Sequence, residues 1–205
     1  SSAAESNRYI LMKQLVQVNA ETIEQDELIA AYRRYKFTLT VLTVALFGAA
    51  GGLILPFVKI YTNDVSDVNY IRPVFAVLLL MSDAINCLIW PCFNLTIAAN
   101  KLKESRLGAY LEAALNVTVS IALVFWNPLV GIALGTLVSA VFKSVYYMIF
   151  ASKSVLKVNP LKIMFGFLST CAILMILSVC GVLLVDILPI YDYWYWIAAG
   201  IATVA

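Results

Sequence analysis

What most constrains this chain is a series of apolar runs, each nearly or wholly free of charge and long enough to cross a bilayer. A hydrocarbon core of ~30 Å needs about 20 helical residues at 1.5 Å each. Phe37 to Val58 has no charge and is closed by Lys59. Pro73 to Asn100 carries one charge, Asp83, and a mid-run Pro91 that predicts a kink. Gly108 to Phe125 holds Glu112 near its start, and Leu129 to Ala151 holds Lys143. Only Trp126, Asn127 and Pro128 separate these two, so they are expected to be antiparallel neighbours. Ile163 to Val185 is again free of charge. A sixth run starts near Tyr191, Tyr193, Trp194, Tyr195 and Trp196, an interfacial aromatic cluster, and is still apolar at Ala205. The expected fold is an all-α integral membrane bundle, with five complete spans and a sixth, at about 193–205, that is cut short.

Composition agrees with this solvent. Hydrophobic residues make up 62% of the chain and charged ones 13%, where a soluble domain has roughly half and a quarter. The formal charge of +2 is small, and the basic residues sit in short connections rather than along one face, so nothing points to nucleic acid. Cys87, Cys92, Cys171 and Cys180 all lie inside apolar runs without CxxC spacing and read as small packing residues.

Cation placement orients the runs, because short loops rich in Lys and Arg stay on the cytoplasmic side. Arg8, Lys13, Arg33, Arg34 and Lys36 precede the first run; Lys101, Lys103 and Arg106 follow the second; Lys143, Lys153, Lys157 and Lys162 lie in or after the fourth. The opposite side has Lys59 and Arg72 beside Asp64 and Asp67, and later only Asp186 and Asp192. The Arg33 side is therefore placed in the cytoplasm. The sequons Asn94-Leu-Thr96 and Asn116-Val-Thr118 fall at membrane depth, where glycosylation does not reach. Residues 1–36 are acidic before turning basic and read as a cytoplasmic amphipathic connection, with Tyr9, Ile10, Leu11, Leu15 and Val16 on its apolar side or as the remnant of an earlier span. The chain begins at Ser1 without an initiator Met, so a piece of a longer protein is expected. Gly48, Gly51 and Gly52 form a narrow face for close helix approach.

Polar groups within the runs mark function, since a charge at membrane depth costs a few kcal/mol even on lenient insertion scales. Asp83, Asn86, Trp90 and Asn94 share one helical face; Glu112, Asn116 and Ser120 share another; Thr136, Ser139, Lys143 and Tyr147 share a third. Three successive polar stripes suit helices around a hydrated cavity. Each residue also has a structural reading. Glu112 can complement its helix start or pair with Arg106, Asp83 can be protonated or hydrogen-bonded, Lys143 can snorkel, and the Asn and Ser residues can join helices. No catalytic residue stands out: His is absent, and there is no phosphate loop or nucleophile elbow. No metal or cofactor is called for, and a transporter or channel is the default.

Leu55-Pro-Phe-Val-Lys-Ile-Tyr-Thr62, Asp67-Val-Asn-Tyr-Ile-Arg-Pro73, Lys103 with Gly108-Ala-Tyr-Leu-Glu-Ala113, Asn116, Ser120 and Gly131-Ile-Ala-Leu-Gly-Thr136 follow in order. Together they resemble bacterial polysaccharide biosynthesis proteins of the oligosaccharide flippase type, in the multidrug/oligosaccharidyl-lipid/polysaccharide exporter superfamily. The resemblance spans Tyr35 to Lys157, about 60% of the chain. It departs at Asn100, where a Gly is expected, and at Lys143, where an Arg is expected. Asn tolerates the left-handed turn conformation, and Lys keeps the charge but loses the bidentate fork.

The resemblance implies a carrier of ~12 to 14 spans in two pseudo-symmetric lobes, of which this chain is most of the second, the first lobe being its missing partner. It implies an inner-membrane protein that flips undecaprenyl-pyrophosphate-linked oligosaccharide for cell-surface polysaccharide such as capsule or lipopolysaccharide. Membrane lipid surrounds it. Lys143 would meet the pyrophosphate, Asn86, Asn94 and Asn116 the sugar, and Asp83 or Glu112 would take up H+ or Na+ as coupling ion. The alternatives are a drug or small-cation antiporter of the same superfamily and a membrane fragment that does not transport.

Overall fold

A computed structural model describes residues 25–62 and 71–184 together with Trp196. The described residues form five long helices: α1 Gln25–Tyr61, α2 Pro73–Ala98, α3 Leu102–Val124, α4 Pro128–Ala151 and α5 Pro160–Leu184, with a π-helical turn Ser152–Leu156 extending α4. All five are long and apolar enough to span a membrane, and the chain is a multi-pass membrane protein. The expected sixth span lies outside the described residues except for Trp196, whose indole Nε1 donates to the Leu53 carbonyl at 2.9 Å.

The starts and ends of these helices follow local chemistry. Pro73, Pro128 and Pro160 each open a helix, where a missing N–H costs nothing and the fixed φ suits the first turn. Asn127 caps α4, its Oδ1 accepting from Val130 N at 3.2 Å. At the end of α2, Asn100 adopts φ 56°, Lys101 N donates to Thr96 O and Asn100 N to Ile97 O, which together make a Schellman stop. Lys157, at φ 52°, ends the π turn in the same left-handed conformation. Lys101 Nζ then reaches across to the Ser154 carbonyl at 2.7 Å, tying the two connections together.

α1 begins earlier than its apolar run. It is one helix from Gln25, so residues 25–36 continue the first span; residues 1–24, with the expected apolar side Tyr9 to Val16, lie outside the described residues. At 1.5 Å per residue α1 is about 55 Å long, well beyond the hydrocarbon core. Its basic end is integrated into the fold. Tyr32 is buried in the core, with Leu28 and Ile29 packed against it, and the phenol oxygen lies 3.2 Å from Cys92 Sγ.

The helices neighbour one another in the order α3, α4, α2, α1, α5, with α5 also touching α2 and α4. α2 is central, contributing Met81, Ala84, Ile85, Leu88, Ile89, Cys92 and Leu95 to the core, and Tyr147, Met148, Phe167 and Leu174 close around them. Outward positions carry Phe37, Leu46, Leu107, Val117, Ile121, Phe165 and Ile176, an apolar surface that a soluble protein would not present. Pro56 and Pro91 lie inside continuous helices. Gly48 and Gly51 do bring a neighbour close: a Cβ on Gly51 would stand 3.0 Å from the Ser178 Cα of α5.

Candidate functional site

Among the described residues the α3–α4 hairpin brings two backbones into very close contact, and its facing surfaces carry two of the polar stripes. A Cβ on Gly131 would lie 2.6 Å from the Leu123 carbonyl carbon and oxygen, and one on Gly135 would run into the Ser120 hydroxyl. The two backbones therefore meet with almost nothing between them. Gly131, Gly135, Ser139 and Lys143 recur every fourth residue on α4, a small-residue stripe that ends in a cation. Facing it on α3 is the Glu112, Asn116, Ser120 stripe.

Close packing at the turn aligns the charges farther along. Glu112 and Lys143 each lie about 20 Å from the hairpin turn, so they arrive at the same depth on facing helices. Lys143 Nζ donates to Glu112 Oε1 at 3.1 Å, the one ion pair found among the described residues. Both side chains keep roughly a quarter of their surface accessible, 27% and 25%. Pairing is what makes either charge tolerable there, because each alone would have to be neutralised or hydrated. Next along α3, Ser120 Oγ donates to Asn116 Oδ1 at 3.3 Å. On α4 the hydroxyls of Thr136 and Ser139 bond to carbonyls of their own helix, Ile132 O at 3.0 Å and Thr136 O at 2.9 Å.

The α2 candidates fall elsewhere. Asn94 is buried and donates to the Tyr35 phenol of α1 at 3.0 Å, and Asn86 donates to Ser82 O of its own helix at 3.0 Å. Asp83 is exposed and lines a cavity between α1 and α2. The three stripes thus divide: α3 and α4 face each other, whereas on α2 Asn94 and Asp83 face α1 and Asn86 bonds to its own helix. Glu112 takes Lys143, not Arg106, as its partner, and Arg106 is exposed.

Sequence reasoning passed over two features of this site. The Gly131-xxx-Gly135 spacing is a close-packing signal and predicts which face of α4 meets α3. Tyr35, Tyr32 and Lys36 belong to α1 before its apolar run, where hydropathy alone reads a loop; the signal they carry is a pair of aromatic residues at the helix start. Lys36 reaches α5, its Nζ lying 3.4 Å from where a Gly166 Cβ would be. Three or more His, Cys, Asp or Glu side chains do not gather into a metal-binding group among the described residues.

Compared with family models, curated proteins and solved structures, the chain matches none.

Proposed function

We propose that this chain forms the second lobe of a carrier that moves an oligosaccharide linked to a lipid pyrophosphate from the cytoplasmic to the outer leaflet, for cell-surface polysaccharide. The observation that carries the reading is the Glu112–Lys143 pair on the polar face of the α3–α4 hairpin. Such a cargo has an anionic pyrophosphate, a hydroxyl-rich head and a tail that stays in lipid. Lys143 supplies the cation for the anion, with Asn116 close by on α3 as a hydrogen-bonding group for the sugar. The resemblance of Leu55–Thr62, Gly108–Ala113 and Gly131–Thr136 to oligosaccharide flippases supports the same cargo.

Glu112 gives the site a means of coupling. An incoming pyrophosphate competes with the carboxylate for Lys143, and the displaced Glu112 is then free to hold the coupling ion, H+ or Na+. Cation placement sets the direction, with the Arg33 side in the cytoplasm of an inner membrane.

The test is transport by the carrier containing this lobe, reconstituted in vesicles with a short lipid-pyrophosphate oligosaccharide. Lys143→Gln is expected to lower flipping by about tenfold or more, a loss of ~1.4 kcal/mol, while Lys143→Arg retains it. A Lys143→Gln protein that folds normally and flips at the wild-type rate would sink the proposal.

A further inference from the structure

Among the described residues α3 packs on α4 and makes little contact with any other helix, so much of its circumference is open. Lys103, Arg106, Tyr110, Ala113, Val117 and Ile121 follow one another at steps of three or four residues, which places them on one helical face, and all six are exposed. Along that face the chemistry changes in order: two cations, then a phenol, then only apolar side chains. At 1.5 Å per residue Tyr110 lies about 10 Å from Lys103, and Val117 about 21 Å. Two more cations belong to the same end of the bundle. Lys101 Nζ donates to the Ser154 carbonyl at 2.7 Å, which ties the start of α3 to the π turn that carries the exposed Lys153 and Lys157. The acids there are Glu104, about a quarter turn off the face, and Asp26 and Glu27 at the start of α1. Among the described residues none of Lys103, Arg106, Lys153 and Lys157 forms an ion pair.

We infer that the outward face of α3 holds an anionic phospholipid of the cytoplasmic leaflet, its phosphate at Lys103 and Arg106 and an acyl chain along Ala113 and Val117. The face and the lipid change character in the same order, from charge through a polar interfacial layer to hydrocarbon. Arg106 offers a phosphate a planar fork of donors and Lys103 a point charge, while Tyr110 sits at the level where amphipathic rings favour the membrane interface. Lys153 and Lys157 add to the positive field at the same end, and basic clusters at the cytoplasmic end of spans attract acidic headgroups. A zwitterionic lipid has the same phosphate, but its own ammonium group cancels the attraction. A second copy of the chain fits poorly, because parallel pairing through this face would set Lys103 and Arg106 against their own counterparts. The inference does not rest on the Lys143 reading: Lys143 lies ten residues before Lys153, about 15 Å deeper, and is not on this face.

The experiment places the full chain in phosphatidylcholine bilayers with trace lipid carrying a nitroxide on its acyl chain, and electron spin resonance reads the fraction immobilised on the protein. Labelled phosphatidylglycerol should be preferred over labelled phosphatidylcholine by at least about fivefold, the factor that one surface cation supplies. The double variant Lys103→Gln/Arg106→Gln should lose most of that preference, and Lys103→Arg/Arg106→Lys should keep it. Arg33→Gln/Arg34→Gln, which removes the same charge from α1 on the same side of the membrane, should leave most of it. Inorganic phosphate in excess should not displace the label. No preference in the wild type, an unchanged preference in the folded Lys103→Gln/Arg106→Gln protein, or an equal loss in the α1 variant, which would mean diffuse charge, would each overturn the assignment. So would displacement by inorganic phosphate, which would mean a site for the free anion.

Discussion

Lys143 and Glu112 illustrate how a residue's role depends on what stands opposite it. Either one alone is a charge in the wrong solvent; together, at 3.1 Å, they satisfy each other. Removing one partner should hurt more than removing both. In a double-mutant cycle on thermal unfolding in detergent, Glu112→Gln and Lys143→Gln are expected to show a favourable coupling of about 0.5–3 kcal/mol. Strict additivity would show that the pair contributes nothing to the fold. The glycines make a second contrast. At Gly131 a methyl group would collide with the Leu123 backbone, which has no room to move, so Gly131→Ala should destabilise by about 1–3 kcal/mol. At Gly166 the nearest atom is the flexible end of Lys36, at 3.4 Å. Gly166→Ala should be neutral or stabilising in the same assay, because alanine is the better helix former.

The helices are legible as elements because lipid imposes a simple rule: every backbone N–H and C=O must find its partner within the span. Apolar runs of sufficient length therefore had to be helices; α2, α4 and α5 follow their runs to within a few residues, while α3 starts six residues early, at Leu102. Their ends are set by short-range chemistry at particular residues. Asn127→Ala removes the oxygen that accepts from Val130 N and should cost about 1 kcal/mol, read from the unfolding midpoint. Asn100 holds φ 56°, so Asn100→Gly should be tolerated or stabilising and Asn100→Val distinctly destabilising. α1 departs furthest from its run. Its extra turns carry Arg33, Arg34 and Lys36, which hydropathy reads as loop, but Tyr32 buries against Cys92 and Tyr35 holds Asn94, and these contacts with α2 keep the helix going.

For the whole molecule, the alternation of cations predicts one topology, and a labelling experiment reads it directly. With an impermeant maleimide on intact cells, Trp126→Cys in the exposed α3–α4 turn should react, while Lys103→Cys and Lys157→Cys should react only after permeabilisation. The reverse pattern would invert the orientation. From the sequence alone came the solvent, the five spans seen among the described residues, the antiparallel pairing of α3 with α4 and the list of polar groups that lipid must not see. Each of these follows from residue type and spacing along one helix. Which polar groups meet was not available at that level, because a helix's stripe says that it faces something and not what. Tertiary packing made that choice: the backbone contact at Gly131 and Gly135 brought Glu112 to Lys143, α1's long start claimed Asn94, and the gap left between α1 and α2 put Asp83 in a cavity of its own.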